Sequence, residues 1–566
     1  MSERAAKALM LAATAALAGC AHRPEEPPGF DVVEAGIPQL QQALAEGRVT
    51  SRELVLAYLA RIGLQHKRLN AVASLNPRAL DEADVLDRER AQGRLRGPLH
   101  GIPIALKDNI HTLDMPTTGG AIAFEGKVAP YESTLARTLR ERGAIILAKT
   151  VMTELANWVA GAPTPMPANY SALFGQGLNP YDTRLDPRPG FDDGRGALPT
   201  GGSSSGIGTA ASLWAASVGT ETSGSILSPA LQTGLVGIKP TVGRISRHGI
   251  IPITADQDTA GPMARTVTDA AILLGELEHS APDPNDAATQ RCAVPPIHDY
   301  RPFLRRDALR GARIGIPRAF FYERFTAPGQ SAPRGGLNPE QAQLMAEAIE
   351  VLRQAGAEVV DPADIPSVID PDPASNILRW NTCITPKGRD EGCSIVFKYG
   401  MKRDFNAWLA SLGALAPVAT LAELRRFNAS HAATRGTLKY GQSLLDISDE
   451  IDLVADRARY EADRAKDLQL AGAQGIDAVL ARHRLDAVLF PGSSGAGLSA
   501  RPGYPTVLVP FGSVPLNPTP PWPAGFEPPR SPYGVSFAAG ACSEPRLIAL
   551  AYAFEQASLR RVAPPP

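Results

Sequence analysis

The sequence predicts an α/β fold, and three observations carry that reading. Short apolar runs with strand character alternate with stretches of helical period, as layered α/β folds require. Leu99 to Ile110 (LHGIPIALKDNI) is an apolar strand running into a polar turn, and Glu132 to Arg142 and Ala144 to Lys149 then read as a helix and a buried strand. The same order returns later, with a helix from Gln341 to Gly356 followed by the strand Glu358-Val359-Val360.

The remaining elements follow in chain order. Ile37 to Leu64 has apolar residues at helical spacing, with Thr50 and Ser51 before Glu53 as a start signal. Residues 76–94 are charged, helical in period and solvent-facing. Residues 160–200 are loop-like, and 280–340 hold Pro-rich connections around a strand from Ala312 to Ile316. Residues 396–482 read as largely helical. Leu485 to Phe490 and Thr506 to Val509 are buried strands, and Leu547 to Arg561 is a closing helix. Ser513 to Pro532 contains eight prolines and is expected to be loop.

Composition narrows the function classes. The 566 residues are 44% hydrophobic and 20% charged, a globular balance. Lys and Arg number 57 against 58 Asp and Glu, which speaks against a nucleic-acid partner. The 52 glycines and 51 prolines predict many turns.

Residues 1–20 read as an export signal. Arg4 and Lys7 precede an apolar run from Ala8 to Ala18. That run is about eleven residues, short of the roughly 20 that a bilayer span needs. It ends in Leu17-Ala18-Gly19-Cys20, which resembles a bacterial lipobox with Cys20 as the lipidated residue. The Pro-rich segment 21–34 is the expected tether, and 35–562 the folded domain. The expected location is the periplasm, anchored to a membrane by lipid alone, the outer membrane being favoured by Ala21. Of the other cysteines, Cys383 and Cys393 flank a polar, Gly-containing stretch and are expected to pair, whereas Cys542 is expected buried and free. No CxxC pair occurs, and the nine histidines contain no i, i+4 pair, so no metal or other cofactor is expected.

The chemistry lies in Gly201 to Pro240. Residues 201–206 read GGSSSG and 219–229 read GTETSGSILSP, separated by an apolar, helix-compatible segment. Such glycine and serine density suits backbone that approaches a ligand closely. Three enzyme readings compete. Gly202 to Gly206 formally fits GxSxG, but that elbow needs a preceding strand, and Arg195 to Thr200 is turn-like. A phosphate loop lacks GxxxxGK[ST]. The third is a serine nucleophile served by a lysine. Lys107, at the end of the apolar strand, is the candidate base; an exposed lysine, or one paired with Asp108, fits the same pattern.

These segments resemble the amidase signature family of serine hydrolases. The resemblance rests on Gly101-Ile102-Pro103 to Lys107-Asp108, Gly201 to Ser204, Gly219 to Ser225, Thr153-Glu154, Gly237-Ile238-Lys239-Pro240-Thr241 and Asp258-Thr259-x-Gly261-Pro262. The wording is closest to the bacterial branch that includes peptide amidase. The resemblance implies an α/β/α fold, with a mixed central sheet between helices and a helical insertion at about 280–480. It implies a triad of Ser225 as nucleophile, Ser203 as bridging serine after a cis peptide from Gly202, and Lys107 as base. Backbone N–H groups of Thr222, Ser223, Gly224 and Ser225 would form the oxyanion site. The implied reaction is hydrolysis of a small-molecule or peptide carboxamide through an acyl-enzyme. The Ser203-to-Ser225 interval is two residues shorter than the family's usual one, which leaves Ser204 as an alternative bridging serine and an inactive, amide- or partner-binding lipoprotein as the alternative function. Leu227 and Ser223 also depart from the family's common residues. Phe174, Trp158, Trp380 and Trp408 are candidates for an acyl site, although aromatics at such positions are more often core.

One prediction comes from the leader. Wild-type chain should fractionate with membranes and Cys20→Ser should not; identical partition into the soluble fraction would remove the lipid-anchor reading.

Overall fold

The computed structural model describes residues 30–293 and 298–565. Cys20 lies outside the described residues, as do the leader and most of the tether. No helix among the described residues is long and apolar enough to cross a membrane.

Eleven strands form one mixed sheet. In chain order they are β1 (Val72–Leu75), β2 (Pro103–Lys107), β3 (Ile145–Thr150), β4 (Ala216–Glu221), β5 (Val236–Lys239), β6 (Thr259–Ala264), β7 (Arg313–Gly315), β8 (Glu358–Val360), β9 (Ala487–Pro491), β10 (Thr506–Pro515) and β11 (Arg530–Ala538). Their order across the sheet is β1-β3-β2-β4-β6-β5-β10-β11-β9-β7-β8. The trio β3, β2 and β4 is parallel, as is the trio β9, β7 and β8. The strands between them are antiparallel. Every residue of β2, β3 and β4 is buried, as expected for parallel strands covered on both faces.

Helices flank this sheet, each where its sequence starts and stops it. Ser51–Leu69 opens on a capping box in which the Thr50 side chain accepts from the Glu53 N–H, and closes on Asn70 in the left-handed region. It packs with Ala79–Ala91 near β2 and β3. Ala79, Ala83 and Leu86 bury one face of that charged helix. Val267–Leu277, Pro339–Gln354 and Glu544–Ser558 cover β5, β6, β10 and β11. Burying a large aliphatic side chain stabilises by about 1.5–3 kcal/mol, so rows such as Leu547, Ile548, Leu550 and Phe554 hold this layer on the sheet.

The stretch expected to be a helical insertion has two parts. Strands β7 and β8 and helix Pro339–Gln354 belong to the main layers, while the helices Val396–Ser411, Leu421–Arg435 and Ser443–Asp449 share a second apolar core, with Arg457–Leu468 packed on Val396–Ser411. Phe405, Trp408, Leu409, Leu421 and Leu445 form part of that core, together with Phe124, Leu155 and Trp158.

Two expectations are corrected. The proline-rich stretch 513–532 is not loop throughout, because β10 and β11 continue as a ribbon to Pro515 and from Arg530. Pro515 and Pro532 sit toward the ribbon's end, where a missing N–H is tolerated. Cys542 is neither buried nor free: it is half-exposed and bonded to Cys292, with Cα atoms 5.6 Å apart. Sequence separation hid this pair, since the two cysteines stand 250 positions apart. Cys383 and Cys393 are also bonded, with Cα atoms 5.1 Å apart.

Candidate active site

The parallel trio points its carboxyl ends to one place, and ligands of α/β sheets bind outside such ends. β2 ends at Lys107, β3 at Thr150, and β4 at Glu221, which leads into Thr222–Ser225.

Lys107 is fully buried. Its Nζ donates to the Thr220 carbonyl at 3.0 Å and to Thr220 Oγ1 at 2.9 Å. Asn109 Nδ2 donates to the same Oγ1 at 3.0 Å. Burial pulls the lysine's pKa down to about 8, against the opposing charges of Asp258 and Glu221. The neighbouring Asp108 does not pair with it. Strand alternation turns that carboxylate the other way, to Lys149 at 3.6 Å and to Thr118.

The GGSSSG segment forms a turn and the start of the short helix α1 (Ser204–Ala210). Met152 bridges to Ser203, and Ser204 donates its N–H to the Val151 carbonyl at 2.8 Å, which ties this turn to the end of β3. Ser203 is the N-cap: its Oγ accepts from the Ser205 N–H at 3.1 Å and donates to Ser205 Oγ at 2.8 Å. Ser205 Oγ lies 2.8 Å from Thr150 Oγ1. Ser204 Oγ instead exchanges hydrogen bonds with the Asn169 side-chain amide at 2.8 and 3.2 Å. The expected cis peptide between Gly202 and Ser203 is not present: that bond is trans. In the trans form Ser203 has extended dihedrals suited to an N-cap, and capping α1 directs its hydroxyl to Ser205.

Ser225 is half-buried and lies against this turn. A Cβ placed on Gly202 would stand 3.5 Å from Ser225 Oγ. Gly224 has a φ of +98°, open to glycine and strained for other residues. None of the N–H groups of Thr222, Ser223, Gly224 and Ser225 finds an acceptor among the described residues. Two carboxylates fix this turn from behind. Glu221 Oε2 accepts from the N–H of Ile226 at 2.7 Å and of Leu227 at 2.9 Å, the start of the short helix α2 (Leu227–Gln232). Asp258 takes the Thr222 hydroxyl and accepts from the N–H of Ile253 at 2.9 Å and of Thr254 at 3.0 Å. Burial pushes Asp258 up to about 7.

Two cavities flank the turn. One, about 300 Å³, is lined by Asn109, Thr220, Thr222, Asp258, Tyr131 and Trp408 among others. The second, about 270 Å³, includes Phe320, Phe321, Trp380, Ser494, Gly497 and Arg501. Gly497 reaches the turn, since a Cβ there would lie 3.7 Å from Ser223 Oγ. Of the four aromatics singled out in the sequence, Trp408 and Trp380 therefore line cavities. Trp158 is core, with its indole N–H on Ser448 Oγ at 3.0 Å, and Phe174 is half-buried beyond both cavities. His111 accepts from the Trp408 indole at 2.9 Å, and burial pushes its pKa down to about 3.

Sequence reasoning did not single out Glu221, Thr220 or Asn109. Glu221 and Thr220 stand inside the GTETSGS segment, so the signal was present. Their roles depend on how the turn folds back, which spacing alone does not reveal.

Gly201 supplies a direct test of this packing. Its φ is +68°, and a Cβ there would stand 2.4 Å from Pro229 N, so it holds the two serine segments together. Gly201→Ala should cost about 1–3 kcal/mol of stability from the backbone alone. It should also lower kcat/KM by roughly tenfold or more, in the range expected for misplaced reacting groups. Melting and steady-state kinetics on the same preparation would check it; wild-type values for both would show that the close approach is not needed.

Comparison with known proteins agrees with this geometry. The family described as Amidase matches residues 53–378. A probable amidase of Arabidopsis thaliana is 34% identical over 541 residues, covering 94% of this chain and 92% of the relative. The crystal structure of peptide amidase from Stenotrophomonas maltophilia superposes with a TM-score of 0.78 at 36% identity, covering 95% of this chain and 99% of that one. An amidase family protein from Bacillus anthracis gives 0.77 at 30% identity, covering 94% and 93%. The chain belongs to the amidase family, and with it to the hydrolases of the amide C–N bond.

Proposed function

We propose that the chain hydrolyses linear carboxamides, C-terminal peptide amides among them, through an acyl-enzyme on Ser225 with Lys107 as base and Ser203 between them. The observation that carries this reading is the meeting of a fully buried lysine, free of any carboxylate contact, with the Ser203 and Ser225 segments at one end of three parallel strands.

The hydrogen bonds of Lys107 suit a base. A neutral amine has two N–H donors and one lone pair. Thr220 takes both donors through its carbonyl and hydroxyl, which leaves the lone pair for an incoming proton. In the relay the Ser203 hydroxyl turns from Ser205 toward Lys107 and gives up its proton, while taking the proton of Ser225. Ser225 Oγ attacks the amide carbon, and the carbonyl π pair moves onto oxygen. The free N–H groups between Thr222 and Ser225 receive that oxyanion; one such donor is commonly worth about 3 kcal/mol in the transition state. The proton returns through the relay to the amide nitrogen, the C–N bond breaks, and ammonia or amine leaves. Water then attacks the ester by the same route and releases the carboxylate. The bonds between Ser204 and Asn169 support Ser203 over Ser204 as the bridge. Likeness to peptide amidase supports amidated peptides as one substrate class.

The location we propose is outside the cytoplasm, held to a membrane through Cys20. Pairing of all four other cysteines into two disulfides supports an oxidising compartment.

Ser225→Ala should abolish amide hydrolysis and labelling by a fluorophosphonate probe, with an unchanged circular dichroism spectrum. Lys107→Ala and Ser203→Ala should each lose most activity, without adding. Near-wild-type turnover by Ser225→Ala would end this reading.

The base also sets a pH dependence. Lys107 works only when neutral, and burial brings its pKa down to about 8, so kcat/KM should rise as pH passes through about 8 and level off above it. A profile flat from about pH 6 to 10, measured within enzyme stability, would remove Lys107 as the base.

A further inference from the structure

A second lysine is sealed in the sheet, two strands from the end of β4. Lys239, the last residue of β5, is fully buried and forms no ion pair among the described residues. Its Nζ donates to the Pro240 carbonyl at 3.3 Å. Thr506 faces it across the β5–β10 register, and Thr506 Oγ1 has no partner among the described residues. β5 runs parallel to β4 with only β6 between them. Strand alternation puts Lys239 on the face of Gly237 and Glu221 on the face of Gly219, and a Cβ on either glycine would meet Ile226, so both charges lie on the sheet face that Ile226 covers. Burial pulls the pKa of Lys239 down to about 8, against Glu221 first and Glu544 second.

Those two carboxylates differ in what they already hold. Glu544 is committed, with Oε1 on the Thr241 N–H at 2.7 Å and Oε2 on the Arg244 guanidinium at 2.9 Å. Glu221 has no cationic contact. Its Oε2 takes the N–H groups of Ile226 and Leu227, and its Oε1 is buried without a partner among the described residues. A buried carboxylate that no positive charge compensates is strongly unfavourable. Hydrogen bonds to an ionised acceptor are roughly twice as strong as neutral ones, so the grip of Glu221 on the residues after Ser225 depends on its charge.

We propose that Lys239 is a positioning residue for the amidase reaction: it supplies the counter-charge of Glu221, and through Glu221 it holds the turn that carries Ser225 and the oxyanion N–H groups. The proposal rests on Ser225 being the nucleophile. Lys239 does not touch the reacting atoms. It acts across the sheet, from β5 to the end of β4, on the rigidity of a turn that must not move by an ångström during attack.

The test uses the full chain with Lys239→Met, Glu221→Gln and the double variant. Three measurements are made: steady-state kcat and KM on an amide that wild type turns over, the second-order rate of fluorophosphonate labelling, and the melting curve. Each single variant should lose roughly tenfold or more in kcat and in labelling rate, with KM changed less than about threefold, as expected when an arrangement needed only for the transition state is lost. The double variant should be no worse than the poorer single one, because both changes break one interaction. A folded Lys239→Met that keeps kcat and labelling within about twofold of wild type overturns the proposal, as do losses that multiply in the double variant. If Lys239→Met alone does not fold, the double variant decides: it leaves no unpaired charge, so a restored cooperative melt supports the pairing and continued misfolding overturns it. Ser225→Ala separates the two readings. Labelling that survives in Ser225→Ala defeats the nucleophile assignment, whereas labelling lost there but kept in Lys239→Met defeats only the role of Lys239.

Discussion

Everything at this site depends on keeping an amine dry. An ammonium buried without a partner is so unfavourable that the group shifts toward its neutral form. The fold arranges this at Lys107 by burying both faces of β2 and by turning Asp108 away to Lys149. The only groups that Lys107 Nζ contacts by hydrogen bonds among the described residues are the neutral oxygens of Thr220. A carboxylate in that place would stabilise the protein and hold the lysine protonated. A lysine without an ion pair is thus a cost in stability from which the proposed chemistry follows. The extensive apolar burial of the flanking helices can bear it.

The serine segments need opposite treatment. They are glycine-rich and intrinsically mobile, so rigidity must come from outside. The structure supplies it with carboxyl acceptors: Glu221 on the start of α2, and Asp258 on the Thr222 hydroxyl and the loop at 253–254. Steric closeness does the rest, since Gly201 and Pro229 leave no room for a side chain between the segments. Held in this way, the N–H groups from Thr222 to Ser225 find no acceptor among the described residues.

How much of this was legible depends on the range over which each feature is encoded. The buried strands ending at Lys107 and Thr150 were readable, because apolar runs bounded by turn residues are local signals. So was the grouping of Lys107, Ser203 and Ser225, through the resemblance of their segments. Cys292 and Cys542 were not paired from sequence, because contact between residues so far apart is a property of topology. The peptide between Gly202 and Ser203 follows the capping of α1 rather than the resemblance, and the composition of a GGSSSG turn is compatible with either isomer. The prolines of 513–532 suppressed a strand reading that the ribbon of β10 and β11 overrides with long-range pairing. Glu221 was in plain view inside a quoted motif, but a carboxylate that caps a turn and one that faces solvent look the same in one dimension.

In the proposed reaction, chemistry and substrate choice fall to different parts of the chain, yet these parts are mechanically joined. The parallel strands carry Lys107 and lead into Ser225, the proposed base and nucleophile, while Trp408 and Asp404 of helix Val396–Ser411 help to line the cavity beside Thr222. That helix and Arg457–Leu468 are both fastened to the loop before β6. Arg403 meets Asp256 at 3.0 Å, Tyr460 donates to Asp256 at 2.9 Å, Arg464 lies 3.5 Å from it, and Asp404 accepts the Ala255 N–H at 2.7 Å. Two residues further on, Asp258 holds Thr222. A displacement of the helical unit by a bound acyl group would therefore bear on the proposed oxyanion turn through three residues of one loop. Ionic contacts of this kind are half-buried and directional, so they transmit position better than an apolar interface that can repack. The consequence is that loops which distinguish one amide from another sit at the far end of the same lever that places the N–H groups, and selection among substrates can be expressed in kcat as well as in binding.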